Sequence, residues 1–115
     1  IAGPILCDRC KPEMKDLDLK NAGILWKNGV KVALCTDHTV IPIQYLPLSA
    51  ALAVKGGMPY NAALRAITSD AAQILGIDDR VGSIAVGLDA DLQLYSGDPL
   101  GLDDPCLVMV KGEII

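Results

Sequence analysis

The sequence predicts an α/β fold, and three observations carry that expectation. The segment "DLDLKNAGILWKNG" has helical period and runs directly into "VKVALC", a β-branched and apolar run. Two further segments of helical period fill the chain as far as Gly76. Beyond Gly76 the character changes to Val, Ile and Leu punctuated by Gly and Asp, the texture of short strands and turns.

Each element follows from local chemistry. Leu19, Ala22, Leu25 and Trp26 recur at spacings of three and four, with Asp16 or Asp18 available as a cap and Gly29 as the stop, so a helix of about three turns is expected. "VKVALC" then reads as a strand buried on both faces, as in a parallel sheet. In "PLSAALAVKGG", Pro47 suits a first helical turn and Gly56-Gly57 ends it. "PYNAALRAITSDAAQILG" predicts two helices broken near Thr68-Ser69, where either hydroxyl can cap the second, with Gly76 closing it. In the tail, "DADLQLY" predicts a strand behind an Asx-type turn, its acids structural, and "LVMVKGEII" predicts two strands joined at Lys111-Gly112. With no repeat or flexible linker between them, the helical and β parts are expected to pack together.

Composition narrows the function classes. The chain has 115 residues, enough for one small domain, yet 51% are hydrophobic and only 3% aromatic. That excess of aliphatic surface implies either self-association or a larger protein that covers it, and the apolar opening "IAGPIL" suggests a chain that starts mid-fold. A net charge of −4 with no block of Lys or Arg argues against nucleic acid as a partner. No apolar run approaches the roughly 20 residues of a membrane span, and no signal peptide is visible, so a soluble cytoplasmic protein is expected. In that compartment Cys7, Cys10, Cys35 and Cys106 are expected as reduced thiols.

Candidate chemistry gathers in "VALCTDHTV". In parallel α/β folds, loops at the carboxyl ends of strands bind ligands, so Asp37, just past such a strand, is the catalytic candidate. A carboxylate there can ligate a metal and accept a proton from water; it can equally be a turn or cap residue. His38, the single histidine, is open to three roles: ligand, substrate contact or loop residue. Cys7 and Cys10 form a C-x-x-C that lacks a second pair, so a thiolate zinc site there would have to recruit Cys35 and Cys106. Gly82, Gly87 and Gly97 match no phosphate-binding pattern and read as turn glycines.

Taken in order, "GP" at 3–4, "KPE" at 11–13, "GVKVALCTDH" at 29–38, "ALRAITSDAAQILGI" at 63–77, "RVGSIAVGLDADLQLYSGDP" at 80–99 and the closing "VMVKGEII" resemble the carboxyl-terminal part of metal-dependent amidohydrolases. The likeness is to the imidazolonepropionase-like and prolidase-like branch; Leu88 stands where that family usually has Lys. The resemblance implies an α/β fragment of a (β/α)8 TIM-like barrel, its last strands and helices over residues 1–76, with residues 77–115 forming part of a small β-sandwich. On that comparison "IAGPI" ends strand seven and "VKVALC" is strand eight. Asp37 becomes the aspartate that binds the metal and shuttles the proton of the attacking water, and His38 lies near the substrate.

The resemblance also implies ligands that this chain does not carry: a His-x-His on the first strand, a bridging residue on a middle strand, and histidines from strands five and six. A cation held by one carboxylate is weakly bound, since catalytic zinc has three or more protein ligands. The expectation is therefore a fragment of a hydrolase cleaving a C–N bond in a small amide or cyclic amide. It would depend on a divalent metal such as zinc, be inactive alone, and pair with its missing half or a second copy. The alternatives are a non-catalytic α/β domain that associates through apolar surface, and a thiolate zinc module.

Overall fold

The computed structural model describes residues 1–9, 11–101 and 103–115. Four short helices come first: α1 (Asn21–Lys27), α2 (Leu46–Lys55), α3 (Tyr60–Ala66) and α4 (Ser69–Leu75). A three-stranded antiparallel sheet follows, β1 (Leu92–Leu94), β2 (Leu107–Val110) and β3 (Glu113–Ile114), in the order β1-β2-β3. The protein is thus α/β with a small antiparallel sheet.

The first helix is shorter than its period suggested. Asp18 spends its carboxylate on the Lys20 amide (2.9 Å), making a turn before the helix rather than a cap on it, so α1 begins at Asn21. Its end is as expected. Gly29, at φ +78, donates to the Trp26 carbonyl while Val30 donates to that of Leu25, the paired bonds of a Schellman motif. The break between α3 and α4 falls at Ile67–Thr68, but neither hydroxyl caps α4. The Thr68 hydroxyl donates backward to the Leu64 carbonyl at 2.8 Å, closing α3 instead. Gly76, at φ +68, terminates α4 as expected.

"VKVALC" is extended and buried at three consecutive residues, Val32, Ala33 and Leu34, as a strand covered on both faces should be. Among the described residues it forms no ladder, however. Its one β-bridge is parallel, Ala2 to Leu34: Ala2 donates to the Ala33 carbonyl (2.7 Å) and Cys35 to that of Ala2 (3.1 Å). The Leu34 amide is satisfied by the Ala66 carbonyl at the end of α3 (3.0 Å), so helix rather than sheet borders its other side. Gly3, at φ +143, makes the pairing possible, because a Cβ there would overlap the Cys35 carbonyl oxygen.

The core around this seam is built of small side chains. Ala22, Ala50, Ala53, Ala62, Ala63 and Ala66 are buried together with Val32, Leu34 and Met58. Alanine faces let α2 lie close to both α1 and α3. The approach continues at Gly56, where a Cβ would overlap the Leu19 carbonyl oxygen. Ser49, fully buried on α2, donates to the Tyr45 carbonyl (3.2 Å), so its hydroxyl carries no desolvation penalty.

The tail departs from expectation in extent. Only Leu92–Leu94 of "VGSIAVGLDADLQLYSGDP" is strand, and Ile84 and Val86 stand 89% and 107% exposed. Its acids are structural, as the sequence suggested: Asp89 pairs with Arg80 (2.7 Å) and Asp91 accepts the Lys111 amide (2.8 Å). Lys111 and Gly112, at φ +51 and +83, make the two-residue turn that joins β2 to β3. The helical part and the tail pack together as expected, although among the described residues no strand of the sheet itself lies against a helix. The loop after β1 makes the link: Leu100 is buried in the helical core, and Asp98 accepts both the Tyr60 hydroxyl of α3 (2.5 Å) and the Leu100 amide (2.8 Å).

Two expectations follow. Gly3→Ala should cost about 3 kcal/mol or more, read by denaturant or thermal unfolding, because backbone would have to move; a neutral result would mean the Gly3–Cys35 approach is not required. The Tyr60 hydroxyl, and secondarily the Leu100 amide, holds the Asp98 carboxyl below its ordinary value of 3.8. A depressed folded-state pKa stabilises above the unfolded value and is lost as pH falls through the folded one. Melting temperature should therefore drop less steeply in acid for Tyr60→Phe than for the parent; identical acid limbs would contradict the contact.

Candidate active site

The parallel pairing of Ala2 with Leu34 makes both segments run the same way, so the chain leaving Gly3 and the chain leaving Cys35 emerge at one end. At that end the buried run closes with Thr36, 5% exposed, and the next residue turns out into solvent. Asp37 does so in the left-handed region (φ +50), which Asp tolerates better than most residues. Val40 donates to the Asp37 carbonyl (2.7 Å) and Ile41 to that of Thr36 (3.2 Å), closing a tight turn over 36–41 that Ile41 anchors in the interior.

Asp37 and His38 are therefore adjacent and exposed at the carboxyl end of a buried extended segment. Among the described residues neither side chain enters a hydrogen bond or ion pair, so the carboxylate oxygens remain available to a ligand. Val40, Ile43 and Tyr45 stand exposed just beyond them, an apolar rim on the loop expected to lie near the substrate. The carboxylate, the imidazole and this rim are what the structure brings together.

Other candidates stay apart. Among the described residues no group of three or more His, Cys, Asp or Glu side chains is arranged to hold a metal ion. The donor set of this chain does not by itself fit a catalytic cation, because one carboxylate falls short of three protein ligands. Cys7, Cys35 and Cys106 are free thiols, with Cys7 donating to the Pro4 carbonyl (3.6 Å) and Cys106 to that of Leu94 (3.2 Å). Cys10, the other half of the C-x-x-C, lies outside the described residues. No helix among the described residues is long and apolar enough to cross a membrane.

Two open cavities flank the segment that leaves Gly3. One, of about 310 Å³, includes Gly3, Pro4 and Met14 in its walls; the other, of about 370 Å³, is lined by Ile5, Cys7, Arg9, Leu17, Asp18 and Leu19. Neither is lined by Asp37 or His38. Sequence reasoning passed over this wall, although "GP" and "KPE" mark its two ends.

Residues 6–115 match the amidohydrolase family, covering nearly the whole of the chain. The chain belongs to the amidohydrolase family. Hydrolysis of carbon–nitrogen bonds is the activity of the family at large. Amidohydrolase tasK of Hapsidospora irregularis is 37% identical over 90 residues, 77% of this chain and 9% of that protein. An imidazolonepropionase of Cupriavidus pinatubonensis is 35% identical over 85 residues, 71% of this chain and 20% of that protein. Among solved structures, an amidohydrolase from Thermotoga maritima MSB8 superposes with a TM-score of 0.95 at 39% identity, covering all of this chain and 30% of its own. This amidohydrolase chain thus spans a third or less of the length of these relatives, and its likeness to them includes the imidazolonepropionases expected from sequence.

Proposed function

We propose that this chain is the carboxyl-terminal part of a metal-dependent hydrolase that cleaves the carbon–nitrogen bond of a small amide or cyclic amide with an activated water. The observation that carries the proposal is Asp37, an unspent, exposed carboxylate at the carboxyl end of a buried extended segment in an amidohydrolase chain. In a (β/α)8 barrel that position faces the substrate. Residues 1–76 would supply the last strands and helices of such a barrel, with the Ala2 and Leu34 segments as neighbouring parallel strands. Residues 77–115 would supply part of a flanking β-sandwich. The rest of the polypeptide is the natural partner of the surfaces left bare here, and a cytoplasmic location belongs to the same proposal.

A divalent cation, zinc in this account, would polarise the scissile carbonyl and lower the pKa of the attacking water. Asp37 fits as one of its ligands, the others lying outside this chain. The work of this chain is then local. An Asp37 carboxylate oxygen takes the proton of the water as it attacks and returns it to the departing nitrogen. His38, next along the turn, contacts the substrate, and the apolar rim of Val40, Ile43 and Tyr45 limits access of bulk water.

A second reading, an α/β domain without chemistry that associates through apolar surface, draws on the full exposure of Ile84 and Val86. One substitution separates the two. In the longer polypeptide that completes the site, Asp37→Asn should reduce turnover about 10²–10⁴-fold, the usual contribution of a positioned acid–base group. Its unfolding free energy should change by no more than about 0.5 kcal/mol, since the residue is exposed. Undiminished turnover would remove Asp37 from the mechanism.

A further inference from the structure

From Asp37 to Tyr45 the chain is exposed at every residue but one: Ile41, only 5% exposed. A single large aliphatic side chain turned inward from a solvent-facing loop acts as an anchor, because its burial is lost if the loop lifts. Among the described residues Ile41 stands outside the cluster that Ala50, Ala63 and Met58 form with Val32 and Leu34. What its burial secures is the loop. Its backbone closes the same turn: the Ile41 amide donates to the Thr36 carbonyl (3.2 Å) and the Val40 amide to that of Asp37 (2.7 Å), so two bonds bracket Asp37 and His38. Thr36, itself buried, is the fixed end of this clasp.

The far side of the turn is pinned as well. Pro42 is extended (φ −55, ψ 140), and a residue before proline is steered away from helix, so the turn stops at Ile41. The 3-10 turn Ile43–Tyr45 then leads straight into α2, where the Tyr45 carbonyl takes the Ser49 hydroxyl (3.2 Å). Ile41 is the point at which the exposed turn meets this fixed segment. Asp37 needs such a hold. At φ +50 it lies in the left-handed region, which a residue other than glycine keeps only when its surroundings over-determine it. Among the described residues its side chain has no hydrogen bond of its own to orient it. The direction of the carboxylate is therefore set by the backbone, and the backbone by the turn that Thr36 and Ile41 close.

We propose that Ile41 is a positioning residue for the hydrolysis: its buried side chain holds the turn over 36–41 shut and thereby fixes the direction of the Asp37 carboxylate. This rests on the proposed hydrolase function. It adds the residue through which the interior controls the acid–base group.

The test is steady-state kinetics on the longer polypeptide that completes the site, with 4-nitroacetanilide, an amide whose cleavage releases a coloured amine, as the probe. Ile41→Ala should lower kcat about tenfold or more while KM changes less than about twofold, since a misplacement of about 1 Å can cost about 10²-fold. Ile41→Val should stay within about twofold of the parent. Ile41→Thr has the shape of Val but a hydroxyl that resists burial, so its kcat should fall about threefold or more below that of Ile41→Val. That pair decides the matter if Ile41→Ala does not fold. Leu100→Ala, which removes a buried side chain from the helical core, controls for lost stability and should keep kcat within about twofold of the parent. Amide hydrogen exchange over residues 36–41 should quicken in Ile41→Ala and not in Leu100→Ala. A kcat for Ile41→Ala or Ile41→Thr within about twofold of the parent, an equal loss in Leu100→Ala, or unchanged exchange over 36–41 would overturn the assignment. A parent that does not turn over the probe, or turnover indifferent to Asp37→Asn, would instead remove the hydrolase proposal and this assignment with it.

Discussion

Two backbone hydrogen bonds, from Ala2 to the Ala33 carbonyl and from Cys35 to that of Ala2, fix the relation on which everything else depends. They place two segments side by side and pointing the same way, so that the loops following both open at one end. Gly3 permits the approach, because any side chain there would meet the Cys35 backbone. Take the seam apart and the Asp37 turn loses its position relative to the segment that leaves Gly3. The placement of the proposed catalytic carboxylate therefore hangs on a contact that does not involve it.

The seam is held from behind by packing of small residues rather than large ones. Alanines on α1, α2 and α3 bring helix backbones close to Val32 and Leu34, and the Ala66 carbonyl takes the Leu34 amide directly. A close-packed alanine interface tolerates little change in volume, since an added methylene has nowhere to go. Each alanine buries little apolar area, so the stability gained per residue is modest. The sheet adds little to this core: the Leu100 side chain and the Asp98–Tyr60 hydrogen bond tether it to the helices, and both of its faces remain partly open to solvent. Such a balance suits a unit completed by more polypeptide, in line with its covering 30% of the Thermotoga maritima structure.

Much of this was legible in the sequence because the signals were local. Gly29, Gly76 and the Lys111-Gly112 turn ended or joined elements where backbone chemistry required, and helical spacing located all four helices. What failed depended on partners. "VKVALC" has every mark of a buried strand, yet strand pairing needs neighbours, and among the described residues it finds a bridge to Ala2 and a bond to Ala66. "GSIAVG" is apolar and strand-like for the same reason and stays unpaired, with Ile84 and Val86 exposed. Capping failed more subtly, because the hydroxyl of Thr68 had a competing acceptor one turn back at Leu64. Asp37 was legible as the residue past a buried run. The cavity lined by Arg9 and Leu17 was not, since Arg9 reaches across it to donate to the Leu17 carbonyl, eight residues along the chain.

The central claim is that Asp37 is one ligand of a metal site completed by polypeptide beyond this chain. Metal content by elemental analysis tests it most directly, comparing residues 1–115 with a polypeptide that also carries the rest of the barrel, each with and without Asp37→Ala. The account predicts stoichiometric metal in the longer form, lost or sharply reduced by the substitution, and little in residues 1–115. Equal metal in both forms, or metal in the longer form that is indifferent to Asp37→Ala, would contradict it.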